Sequence, residues 1–195
     1  SMRIVYAVLA AVPLGGLLSV LLKRLFDSPR PAGVLESMDI HTIGPILKTH
    51  SFPSGHTITI FATIGVIFLI PVVRRRSLQM AIQLAVVAFG LLVALSRISV
   101  GAHWPVDCLA GAGIGWLSGL SGIYIVDRYH KRLENFKLSA IVVLLLWALS
   151  LSNFYRTIEY PARLVAVECS FVLASVMLGA YLYKQRKSIA SFFAR

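Results

Sequence analysis

An arginine, a histidine and an aspartate interrupt an apolar run at residues 96–107, Ser-Arg-Ile-Ser-Val-Gly-Ala-His-Trp-Pro-Val-Asp. Pro105 suits the first turn of a helix, which would put His103 just before that helix and Asp107 one turn in. At this spacing Asp107 can accept a hydrogen bond from one imidazole nitrogen and fix the tautomer, leaving the other nitrogen's lone pair directed outward. A histidine held in this way is prepared to act as a nucleophile or general base. Arg97, at the end of the preceding apolar run, offers a planar fork of donors matched to phosphate oxygens. The competing reading is a buried structural His-Asp pair, and on this patch alone the two stand level.

Two smaller polar clusters precede it. Ser51-Phe52-Pro53-Ser54-Gly55-His56 leads into a helix starting near Thr57. Gly55 permits close backbone approach, and free N–H groups at a helix N-terminus attract anions. Ser54 can cap the helix or donate to a phosphate oxygen, and His56 on the same rim is placed to protonate a leaving group. In isolation this patch reads first as an ordinary helix start. The earliest cluster places Lys23 at the end of the first apolar run and Arg30 seven residues on, between Pro29 and Pro31. The prolines stiffen the turn that presents the guanidinium. Two fixed cations would neutralise a phosphate and the charge that develops in phosphoryl transfer.

The elements that must hold these residues are membrane spans. Of 195 residues 57% are hydrophobic and 14% charged, against roughly a quarter charged for a soluble domain. Apolar runs near the ~20 residues that cross a bilayer core divide the chain into six expected spans: 4–22, 56–73, 78–95, 104–126, 138–155 and 163–183. The expected architecture is all-α, a polytopic helix bundle forming a single domain over residues 1–195. No cleavable signal peptide is evident, and Ser1 ahead of Met2 reads as an addition, leaving room for native residues upstream. The formal net charge of +11 lies in short clusters between apolar runs and forms no stripe of the kind that binds nucleic acid. Those clusters follow spans two (residues 74–76), four (128–132) and six (184–187). The positive-inside bias then places both termini in the cytoplasm and all three polar patches on the other side. Arg24 and Lys48 run against the bias and read as headgroup contacts. Residues 32–52 are too short and mixed to span, and fit an interfacial helix over the site or a plain connecting loop. Gly111, Gly115 and Gly119 let another helix approach span four closely. Cys108 and Cys169 fall in apolar segments and read as buried spectators. His41, His50, His56, His103 and His130 form no metal-binding pattern.

Taken together the patches resemble the signature of the type 2 phosphatidic acid phosphatase (PAP2) family, which also includes vanadium haloperoxidases. That pattern is Lys, six residues, Arg-Pro; then Pro-Ser-Gly-His; then Ser-Arg, five residues, His, three residues, Asp. Here it reads Lys23…Arg30-Pro31, Pro53-Ser54-Gly55-His56 and Ser96-Arg97…His103…Asp107, without departure. The resemblance implies that His103 attacks phosphorus to form a phosphohistidine, oriented by Asp107, while His56 protonates the leaving oxygen. It implies that Lys23, Arg30, Ser54, Gly55 and Arg97 bind the phosphoryl oxygens, with no metal and no cofactor. Many membrane members carry further spans before the first block, whereas here one span precedes it and two follow the last. The activity implied is a membrane lipid phosphatase at the outer face of the cytoplasmic membrane, its partners the bilayer and a lipid phosphate. Undecaprenyl diphosphate, phosphatidylglycerol phosphate, phosphatidic acid and lipid A 1-phosphate are the candidate substrates. A phosphotransferase to another lipid is the alternative, with a non-enzymatic lipid-binding or transport protein behind it. A haloperoxidase would need bound vanadate, and burial in a membrane argues against it.

Overall fold

A computed structural model describes residues 2–35 and 47–133, and beyond them 140–145, 147, 148, 175, 178 and 183. The chain divides into two compact units, Ser1–His130 and Lys131–Arg195. The first contains α1 (Met2–Phe26), α2 (Pro31–Val34), α3 (Gly55–Leu69), α4 (Arg76–Ser99) and all but the last three residues of α5 (Pro105–Leu133). No strand occurs among the described residues. In the second unit the described residues are helical, and Trp147 Nε1 donates to Ser175 Oγ at 3.1 Å. The expected spans 138–155 and 163–183 otherwise lie outside the described residues.

Among the described residues, three stretches are long and apolar enough to cross a bilayer: Met2–Val34, Arg76–Ser99 and Pro105–Tyr129. Their outward faces suit lipid. On α4 only Gln79 and Gly90 are buried, while Leu84, Phe89, Leu91, Leu92 and Leu95 are exposed. The apolar helix α3 is shorter than the expected span at 56–73. It has 15 residues, a length of about 22 Å. Pro71 disfavours the helical conformation at the residue before it, and Ile70 is accordingly extended, with φ −101° and ψ 111°. The turn that follows is satisfied from α4, where Gln79 Oε1 accepts from the backbone N–H of Val72 at 2.9 Å and of Val73 at 3.2 Å.

Small residues set the packing at the centre. The buried face of α1 carries Ala7, Ala11, Gly15 and Ser19, four residues apart, a ladder that lies along one side of a helix. The glycines of α5 answer the expectation of close approach and identify the partner. A Cβ on Gly111 would lie 2.8 Å from Ser54 O, one on Gly115 2.5 Å from Ile58 O, and one on Gly119 2.8 Å from Ala62 O. The backbone of α5 thus lies directly against α3 over two turns, and Gly122 meets α1 at Ala7 and Ala11. At the end of the unit away from the polar patches, Arg3 clamps α1 to α5 through two 2.8 Å bonds to the carboxylate of Asp127.

Substitutions on α5 test this packing. Gly115→Ala must displace α3 and should destabilise the unit by about 1–3 kcal/mol, seen as a lower melting temperature in detergent. Gly113, where an added Cβ meets nothing within 4 Å, should accept alanine without loss.

Candidate active site

The carboxyl end of α1, the amino end of α3, the carboxyl end of α4 and the amino end of α5 meet at one end of the first unit. Between them lies a cavity of about 750 Å³ whose wall includes Lys23, Arg30, Gly55, His56, Arg97 and His103. Three patches remote in sequence therefore share one space. Apolar and small groups, among them Gly16, Ile60 and Val93, complete the wall.

The His-Asp element follows from how α5 begins. Trp104 precedes Pro105 at the helix start, and Asp107 Oδ2 reaches back to accept from the Trp104 backbone N–H at 2.8 Å, the acidic arm of a capping box. The carboxylate is fixed by the helix start itself. His103 Nδ1 lies 3.5 Å from the same Oδ2, a long contact of the kind that tightens when a substrate arrives. The turn before it is closed by Arg97 O, which accepts from the N–H of Ala102 at 3.1 Å and of His103 at 3.2 Å. Gly101 makes that turn possible by taking φ 66°, a conformation costly for a residue with a Cβ. Asp107 is buried and does not line the cavity, so it can bear on that space only through His103.

Two of the three cations are held by backbone carbonyls. Lys23 Nζ donates to His50 O at 2.6 Å and Ser51 O at 3.3 Å, which leaves one of its three donors. Arg30 donates from Nε to Thr49 O at 2.9 Å, from Nη1 to Ala102 O at 2.9 Å and from Nη2 to His50 O at 3.3 Å. Two of its five donors remain for a ligand. Arg97 bonds through Nε to Ser96 Oγ at 3.2 Å, and no described residue occupies its terminal nitrogens. His50 itself has φ 58°, a strained conformation for a residue other than glycine. Its carbonyl serves both Lys23 and Arg30.

The middle patch divides. Gly55 and His56 open α3 and face the cavity, so the first free N–H groups of the helix point where an anion would sit. Ser54 does not join them. It is fully buried, its Oγ accepts from Thr57 Oγ1 at 2.9 Å and its N–H donates to Asp107 O at 3.0 Å. It locks α3 to α5 behind the cavity wall.

Residues 4–131 match the PAP2 superfamily. The chain belongs to that family. It is 32% identical over 135 residues to the undecaprenyl-diphosphatase BcrC of Bacillus subtilis (strain 168), covering 69% of this chain and 61% of that protein. It is 32% identical over 124 residues to a lipid A 1-phosphatase of Rhizobium etli, covering 57% of this chain and 46% of that protein. The chain thus spans between about half and three fifths of the length of these curated relatives. The crystal structure of Aquifex aeolicus LpxE aligns with a TM-score of 0.55 at 30% identity, over 64% of this chain and 69% of that one.

Two groups in this PAP2 site carried no weight in the signature. Gly101 falls between Arg97 and His103, where a glycine just past the end of an apolar helical run is a turn signal. Ser51 is buried against the His-Asp pair, its Oγ 2.5 Å from Asp107 Oδ2 and 3.5 Å from His103 Nδ1, and nothing in its local sequence marks it.

Burial, with Arg30 and Lys23 nearby, pushes the His103 imidazole pKa down from its ordinary 6.5, with Asp107 opposing. A lowered value means that the neutral ring persists until pH falls through the shifted pKa. His103 is therefore expected to be neutral at pH 6.5 and to titrate below it, as followed by ¹⁵N imidazole NMR in detergent. A midpoint above 6.5 would contradict the electrostatics described.

Proposed function

We propose that the protein is a membrane lipid phosphatase hydrolysing a phosphomonoester or diphosphate on a lipid headgroup through a phosphohistidine intermediate at the extracytoplasmic face. The observation that carries this reading is the single cavity in which Lys23, Arg30 and Arg97 surround two imidazoles, one of them backed by Asp107.

The remaining donors of Lys23, Arg30 and Arg97, with the N–H groups opening α3, receive the non-bridging oxygens. They stabilise the charge that shifts onto those oxygens in the transition state. His103 with Nδ1 protonated has its lone pair on Nε2, which attacks phosphorus while the bond to the lipid oxygen breaks. The ring then carries a positive charge that Asp107 balances. Protonated His56 gives its proton to the departing oxygen, and the dephosphorylated lipid leaves. Neutral His56 then takes a proton from water, whose oxygen attacks the phosphohistidine. The P–N bond breaks, inorganic phosphate forms and His103 is neutral again.

The distribution of charge supports the sidedness. Arg74 and Arg75 precede α4 and Arg128 lies late in α5, at the helix ends opposite the cavity. With basic clusters facing the cytoplasm, the cavity faces out of the cytoplasmic membrane. The names of the bacterial relatives point to lipid phosphates of the cell envelope as the substrate class.

The test is phosphate release in detergent from undecaprenyl diphosphate, phosphatidylglycerol phosphate, phosphatidic acid and lipid A 1-phosphate, with and without EDTA. Release should survive EDTA, fall by at least about 10³-fold in His103→Ala, and fall by about 10²- to 10⁴-fold in His56→Ala. Acid-quenched protein should retain ³²P on a histidine in wild type and not in His103→Ala. Activity surviving in His103→Ala would overturn the nucleophile. Transfer of label to an added lipid, with no free phosphate, would make the protein a phosphotransferase.

A further inference from the structure

The hydroxyl of Ser51 has a role that the signature does not assign. Ser51 is fully buried, and each of its polar groups is engaged by a different part of the site. Its N–H donates to Ser28 O at 2.9 Å, in the turn that carries Arg30. Its carbonyl accepts from Lys23 Nζ at 3.3 Å. Its Oγ lies 2.5 Å from Asp107 Oδ2 and 3.5 Å from His103 Nδ1.

The proton inventory of this cluster has one solution. An ionised carboxylate only accepts, so the single serine proton must point to Asp107 Oδ2. The lone pairs of Oγ then remain on the side of His103 Nδ1. Nδ1 thus has two oxygens at 3.5 Å, Ser51 Oγ and Asp107 Oδ2, and both ask it to be a donor. A ring with its proton on Nδ1 keeps the lone pair on Nε2, the tautomer that attack on phosphorus requires. The other charged and titratable groups of the cavity are Lys23 from α1, Arg30 from the turn before α2, His56 from α3 and Arg97 from α4. None of them makes a hydrogen bond to His103 among the described contacts.

We propose that Ser51 is a positioning residue, its hydroxyl holding Asp107 Oδ2 and the Nδ1 face of His103 so that the imidazole presents Nε2 to the lipid phosphate. The proposal rests on the phosphatase reading for its effect on turnover, but not for its effect on the ring. Because the Ser51 carbonyl also holds Lys23, one residue places the nucleophile and one phosphate-binding cation in a common frame.

Ser51→Ala removes only the hydroxyl and leaves both backbone contacts. With the lipid phosphate hydrolysed best by the wild type, it should lower kcat about tenfold, the scale of losing a hydrogen bond to a charged group, and leave KM within about twofold. Asp107, short of one donor, should draw the imidazolium proton more strongly. The acid limb of kcat/KM and the ¹⁵N NMR titration of His103 should therefore both move to higher pH. Ser51→Thr, which keeps the hydroxyl, should restore both. The proposal is overturned by wild-type kcat and an unmoved His103 titration in Ser51→Ala. Equal losses in both variants that follow a fall in melting temperature would also overturn it, as would failure of Ser51→Ala to fold, since the serine would then be structural support. Should the wild type release no phosphate from any lipid, the phosphatase reading fails, and the His103 titration in wild type and Ser51→Ala still decides the role of Ser51.

Discussion

Asp107 is where the helices and the chemistry meet. Its carboxylate closes the first turn of α5 by accepting from the Trp104 N–H, accepts from Ser51 and lies beside the His103 ring, while its backbone carbonyl accepts from Ser54 at the start of α3. A buried carboxylate with too few donors is expensive in a low-dielectric interior. Here the cost of burying the charge is offset by hydrogen bonds that also fix the geometry. Moving Asp107 would loosen the α5 cap, unseat α3 and free the imidazole together. The glycine face of α5 serves the same end, because only backbone-to-backbone contact with α3 brings Ser54 close enough to bond to the Asp107 carbonyl.

The cations pose the opposite problem. Lys23, Arg30 and Arg97 line one cavity, and without a ligand they repel one another. Backbone carbonyls of residues 49–51 and 102 take up part of that charge. His50 holds a left-handed conformation, which for such a residue costs of order 1–3 kcal/mol. It persists because its carbonyl answers two cations at once. Arg30 in addition bridges residues 49–50 to Ala102, next to Gly101 in the turn that carries His103. Lysine there would retain the charge and lose the bridge, since a single ammonium cannot span carbonyls set out for a planar fork.

Much of the site was legible because its logic is local. A histidine and an aspartate four residues apart across a helix start, a glycine beside a helix N-terminus and an arginine between prolines carry their meaning within a few residues. The glycines at 111, 115 and 119 announced close approach, but not that α3 was the partner, since spacing describes one surface of a contact. Pro71 marked the end of α3, yet hydropathy ran past it to residue 73, because Val72 and Val73 are apolar without being helical. Ser54 read first as part of an ordinary helix start, and through the family resemblance as a ligand for phosphate. It proved to be a buried tie to α5, a fact held in the pairing of two helices and not in either of them. Ser51 was hidden for the same reason. A serine beside Phe52 and Pro53 has no periodicity to betray it, and the partners of its hydroxyl lie more than fifty positions away.

The cavity wall carries a further consequence for a lipid reaction. Its cations are gathered at the helix ends while Gly16, Ile60 and Val93 continue along the helices, so charge and apolar surface adjoin within one space. A phosphate joined to a hydrocarbon chain presents that same succession. With the phosphate at the helix ends, its chain can remain among apolar side chains, and hydrophobic contact along the helices adds to the electrostatic grip at their ends. Free phosphate receives only the second of these. On the proposed reading, Lys23 and Arg30, part-occupied by carbonyls, together with Arg97 would align the substrate while holding the released phosphate less firmly. On the proposed reading, hydrolysis would remove the covalent link between the two kinds of contact and leave each product with only one of them.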